Sequence, residues 1–135
     1  MTIRAIRLTV LVAAFGCPAL GADLKDENLE ARRKAAAEIK ASDRADRIAA
    51  LPALIDRLMV ETDGQVRLMV LDAVTSLGPD AAPAVPALAH SMTARYKGQQ
   101  REKTHQDYRA ALALAAIGAP AVEPLRELLK APKEN

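Results

Sequence analysis

Side chains able to do covalent or metal chemistry are sparse in this chain. It holds two histidines, His90 and His105, and one cysteine, Cys17. Neither histidine has another His, a Cys or a carboxylate at ligand spacing on its own helical face, so no metal centre is expected. His105 and Asp107 stand two residues apart, and side chains at i and i+2 point away from each other on a helix. A nucleophilic triad would need Ser76 or Ser91, and neither stands in the sharp turn that exposes a nucleophile. No Gly-x-Gly-x-x-Gly run and no Walker sequence is present to cradle phosphate. The residues therefore point to a protein that is not an enzyme and holds no cofactor.

The charges suggest binding instead. Arg95, Lys97, Arg101 and Lys103 face only one acid, Glu102, in a short stretch. Such a stretch is either a solvated loop or a contact for an acidic partner. Tyr96 and Tyr108 are the only aromatics near it, too few for a base-stacking platform. The whole chain has a net charge of +2, but residues 1–22 contribute Arg4 and Arg7 and no acid. The remainder has 17 basic and 17 acidic residues and is neutral, which argues against a nucleic-acid partner.

Residues 1–22 have the order of a secretory signal peptide: a positive start, the apolar run Leu8 to Phe15, then small residues before the charged segment opening at Asp23. The run is shorter than the ~20 apolar residues a membrane span needs. An ordinary buried N-terminal helix is the competing reading. Cys17 offers a second route, lipid attachment, because Ala14-Phe15-Gly16-Cys17 loosely matches a lipobox, although Phe15 is bulky for one. The chain thus reads as exported, periplasmic or extracellular, with a membrane contact only if Cys17 is lipidated. Without Cys17 the domain 23–135 has no cysteine, so it has no disulfide and depends on packing.

The elements that must position these residues are helices. Half of the residues are hydrophobic but only 2% are aromatic, a composition suited to close-packed helices rather than sheets. Apolar residues recur at helical spacing. The stripes are Leu51, Leu54, Ile55, Leu58 and Met59; Val66, Val70, Leu71, Val74 and Leu77; Val85, Leu88, Ala89 and Met92; Ala110, Ala111, Leu114 and Ile117; and Val122, Leu125, Leu128 and Leu129. With a charged first segment they predict six helices, near 27–41, 45–60, 64–77, 82–97, 104–117 and 120–130. Ser42, Asp63 and Thr104 suit N-caps, and Gly78 and Gly118 suit left-handed helix ends. Pro52, Pro86 and Pro124 sit deeper, each removing a helical hydrogen bond.

The chain also repeats itself. VLDAVTSLG (70–78) aligns with AALALAAIG (110–118), and the proline segments after them align too. A period near 40 residues with two helices each marks an α-solenoid. The pattern resembles HEAT repeats, the short bacterial type also found in phycobilisome-lyase-like proteins. The residues that carry it are Val66-Arg67, Ala73, Leu77-Gly78-Pro79 and Val85-Pro86-Ala87-Leu88, then Ala110, Ala113, Leu114, Ile117-Gly118 and Val122. It covers residues 45–130 and, weakly, 27–44. The first unit lacks the Ile-Gly-Pro turn, and the third has Gln106 where Val is usual. The first helix, with Glu30, Lys34 and Glu38 at i,i+4, reads as a polar end cap.

The resemblance implies an all-α solenoid of about three HEAT-like helix pairs over residues 23–135. It also implies a non-catalytic scaffold or adaptor for a protein partner, with a bilin-lyase-like or other enzyme-accessory role, or a lipid-anchored envelope subunit, as alternatives. In such stacks the second helices line a concave face, here with Asp56, Arg57, His90, Arg95, Arg126 and Glu127. Together with Lys97 and Arg101, the basic members and His90 form the expected protein-binding set, on a monomer. Residues 96–103 read as an insertion, either loop or an outward extension of the next helix. Intact mass of the exported protein is expected to place its N-terminus at Ala22 or Asp23. A retained residue 1–15 segment rules out cleavage, and an added diacylglycerol on Cys17 selects the lipoprotein.

Overall fold

In the computed structural model, residues 23–93 and 100–130 are described, with 100–104 and 128 by their backbone alone. Among them every regular element is helical and no strand occurs. The α-helices are α1 (Leu29–Ala41), α2 (Arg44–Val60), α3 (Gly64–Leu77), α4 (Val85–Thr93), α5 (Gln100–Ile117) and α6 (Ala119–Lys130), with a 3-10 helix (Gly78–Ala84) joining α3 to α4.

Local chemistry accounts for the helix ends. Asn28 accepts bonds from the Glu30 and Ala31 N–H groups and starts α1. Asp63 does the same for α3, accepting from Val66 N–H at 3.0 Å. Two expected caps move. Asp43, not Ser42, caps α2, accepting from Asp46 N–H at 2.9 Å. The shorter Ser42 instead closes α1, its hydroxyl donating to the Ile39 carbonyl at 2.7 Å. Thr104 lies inside α5, which starts upstream at Gln100. Residues 100–103 are therefore helical, and residues 94–99 lie outside the described part.

Gly78 (φ 58°) and Gly118 (φ 72°) both have the positive φ that a glycine at a helix end supplies, although Gly78, with ψ −132°, lies outside the left-handed helical region. That backbone strains any side chain with a Cβ. Pro79 and Pro83 then hold the chain in the tighter 3-10 form, so α4 begins at Val85 rather than near 82. Pro86 falls in the first turn of α4, where its missing N–H is cheap. Pro52 and Pro124 do lie inside helices.

The helices pack in two rows. In one, α1 and α5 both pack on α3 and not on each other; in the other, α2 and α6 both pack on α4. The helices α2 and α3 join the rows, as do α4 and α5. Ala35, Ala36, Ala50, Ala73, Ala84, Ala87, Ala110 and Ala113 are buried between them, and small residues let helix axes approach within the usual ~8–10 Å. Leu54, Leu58, Leu71, Leu77, Leu88 and Ile117 fill the remaining space.

The stripes read from sequence are only partly core. Met59 is 45% exposed, Val122 53% and Leu129 87%, while Ala111 is exposed and Ala113 is buried in its place. A stripe about 100° wide shows only part of itself to the neighbours a helix has; Val122 and Leu129 fall on a side that no described helix covers. Replacement of the fully buried Leu54 by Ala is expected to lower unfolding free energy by about 2–5 kcal/mol. Leu114, only partly buried, should cost less. Urea melts followed by far-UV circular dichroism measure both, and a near-neutral Leu54→Ala would place the core elsewhere.

Candidate interaction surfaces

A buried charge cluster sets the surfaces in place. The three-residue turn between α2 and α3 carries Glu61, which is 1% exposed. Its carboxylate accepts from the Thr62 and Asp63 N–H groups at 3.0 and 2.9 Å and from Arg32 Nε on α1 at 3.0 Å. Arg57 Nε on α2 lies 2.7 Å away, an ion-pair contact without hydrogen-bond alignment. The Glu61 carbonyl accepts from Arg67 at 2.7 Å, and Arg67 also donates to Ser91 Oγ on α4 at 2.6 Å. One turn thereby ties together α1, α2, α3 and α4. A buried charge that lost these partners would cost several kcal/mol, which is why the group must be complete.

Asp63 ends the same turn. Partial burial works to raise its pKa, but the Val66 N–H bond and the Arg33 guanidinium, 3.1 Å away, outweigh burial and hold it below the ordinary carboxylate range.

The expected binding residues are not gathered in one place. Arg57 is half-buried, held by Glu61 and donating to the Leu24 carbonyl at 3.4 Å. It borders an open groove of about 430 Å³ with Lys25, Asp56, Met59 and Val60, and Lys25 pairs with Asp56 at 3.1 Å. His90 is exposed on α4, outside this groove. Arg126 is exposed on α6 and pairs with Glu123 at 2.8 Å. Arg95 and Lys97 lie outside the described residues, and Arg101 is described by its helical backbone alone.

A second surface lies in the other row. Because α1 and α5 straddle α3 without touching, a groove of about 400 Å³ runs over α3. Leu68 and Met69 supply its apolar floor, and Lys40, Gln65, Asp72 and Arg109 line it. A smaller hollow of about 130 Å³ shares Gln65 and Leu68 and continues the groove to His105 and the buried Gln106. Asp72 stands at the centre, contacted by Lys40 from α1 at 2.9 Å and by Arg109 from α5. Its charge is balanced from both sides, leaving an apolar trough edged by fixed charges. Sequence reading missed Lys40, Leu68, Met69, Asp72 and Arg109. The available signal was a set of opposite charges about one repeat apart.

Among the described residues no three His, Cys, Asp or Glu side chains converge closely enough to hold a metal ion. None of the described helices is long and apolar enough to cross a membrane.

Asp63→Ala should cost about 1–2 kcal/mol near neutral pH through loss of the cap. Because the folded pKa is lowered, the unfolded chain takes up the proton first as pH falls. The contribution is therefore full above the ordinary aspartate value of about 3.9 and fades as pH drops through the lower folded value. Urea melts of both proteins between neutral and strongly acidic pH should show the gap closing only at the acid end. A gap independent of pH would remove the carboxylate from the account.

No protein-family model matches this chain, and neither a curated protein nor a solved structure is significantly similar to it.

Proposed function

We propose that this chain is an exported, non-catalytic interaction module, a short α-solenoid of about three HEAT-like helix pairs that holds a protein partner. Residues 1–22 act as its export signal. The groove over α3 is the observation that carries the binding reading. It has a hydrophobic floor on α3, charged edges already paired with one another, and side chains from α1 and α5 on its two sides. Such a trough suits an apolar side chain presented on a polypeptide segment, with the charged rim selecting its flanks.

The stack reading is supported by the packing pattern, in which each row joins a helix to the next helix of its row and not to the one beyond. It is supported also by ion pairs that reach about one repeat along the chain. Arg32 with Glu61, Arg33 with Asp63, Arg44 with Asp80, and Lys40 and Arg109 with Asp72 all do so. The basic stretch of Arg95, Lys97 and Arg101 would add attraction for an acidic partner.

A photo-crosslinking residue placed at the exposed groove position Gln65, in the chain exported by its own host, tests the reading. A discrete partner adduct is expected from Gln65 and none from Ala37, which is exposed on α1 outside the groove. Met69→Glu should reduce that adduct at least about tenfold, as a buried charge in an apolar contact does. Equal labelling from both positions, or an adduct indifferent to Met69→Glu, would refute the groove as the binding surface.

A further inference from the structure

Among the described residues, large apolar side chains are exposed in two places: Ile48, Met59 and Val60 on α2, and a second group on α5 and α6. Tyr108 is 63% exposed, Leu112 38%, Val122 53% and Leu129 87%. Ala111, Ala115 and Ala119 are exposed beside them. Helix α5 turns Ala110, Ala113 and Ile117 into the core and reaches α3 through the Arg109–Asp72 pair. At about 3.6 residues per turn, Tyr108, Ala111 and Ala115 then fall on the side turned away from α3. On α6, Ala121 is buried and Leu125 partly so, which leaves Val122, Arg126 and Leu129 on one outward side. The two helices thus share an apolar face that no described element covers.

We propose that this face packs against the same face of a second copy of the chain, end to end about a two-fold axis. Two observations select that occupant. The first is charge. Beside the apolar stripe α6 exposes Glu123, Arg126, Glu127 and Lys130 in that order, paired within the helix as Glu123 with Arg126 and Glu127 with Lys130. Two such helices packed antiparallel place Glu123 against the partner's Lys130, and the reverse, so the face is complementary to itself. The second is the opposite end of the molecule. There α1 exposes Glu30, Lys34 and Glu38, a charged surface that an apolar face does not cover favourably. Head-to-tail association is disfavoured, and the two-fold contact closes at a dimer.

The size of the face sets the strength. The 12 residues of α6 span about 18 Å, and two helices side by side about 20 Å. This facing area of roughly 400 Å² is below the ~800 Å² per partner of a standard interface. The dimer is therefore a weak, concentration-dependent one, where the sequence alone suggested a monomer.

Sedimentation velocity on the full chain from about 5 µM to about 500 µM brackets a dissociation constant on the order of 10–100 µM, appropriate to so small a contact. Monomer at low and dimer at high concentration is expected. Val122→Glu with Leu129→Glu, both at exposed positions, should leave the helical circular dichroism unchanged and abolish the dimer. Glu123→Lys should weaken it at least about tenfold, and adding Lys130→Glu should restore it. A wild-type chain that stays monomeric throughout overturns the proposal. So does a dimer that survives Val122→Glu with Leu129→Glu, since it then uses another surface. Failure of the second charge reversal to rescue the first refutes the two-fold antiparallel arrangement.

Discussion

The arrangement of this protein depends on a buried carboxylate. Glu61 sits in a three-residue turn, where backbone N–H groups at the start of α3 would otherwise lack partners, and its side chain accepts two bonds from that turn. A charge so enclosed requires counter-charge, and the fold supplies it from two directions, Arg32 on α1 and Arg57 on α2. Arg67 then binds the carbonyl of the same residue and carries the link to Ser91. Buried ionic groups of this kind often add little net stability over apolar replacements, but broken ones are costly. The group therefore favours the arrangement of α1, α2, α3 and α4 in which all of its members keep their partners.

That matters because the core is made of small and aliphatic side chains. Alanine faces pack closely but carry little shape information, and a chain with 2% aromatics has few large anchors to index one helix against the next. The longer-range ion pairs provide that index. Those of Arg33 with Asp63 and of Lys40 with Asp72 link α1 to α3, while that of Arg109 with Asp72 links α5 to α3. Partly exposed pairs like these contribute about 1 kcal/mol each, so most of the attraction between the rows comes from hydrophobic burial.

The same geometry creates the surfaces. Helices that pack on a shared neighbour but not on each other leave a trough above that neighbour, and the residues in it are those of α3 that burial leaves over. The face of α5 and α6 has the complementary origin: its residues have the spacing of a core stripe but meet no helix among the described residues. Both features follow from the order in which helices are paired rather than from any unusual residue.

The sequence by itself determined the helical class, most element centres and several ends. Asp63 at the start of α3, and Gly78 and Gly118 after α3 and α5, act through bonds or dihedral angles within a few residues, so their roles are visible in a local window. The fully buried stripe Val66, Val70, Leu71, Val74 and Leu77 was equally legible, because α3 has neighbours on most sides. Tertiary structure decided the rest. Glu61 and Arg67 are charged yet buried, which no local window shows, since they are held by partners on other helices up to 29 residues away. Met59, Val122 and Leu129 look like core residues and are exposed, since burial depends on which helix stands opposite. The trough over α3 joins Lys40, Asp72 and Arg109, which lie on three helices and meet only when those helices are aligned. Periodicity records which side of a helix is apolar; only the packing of whole helices decides how much of that side finds a partner.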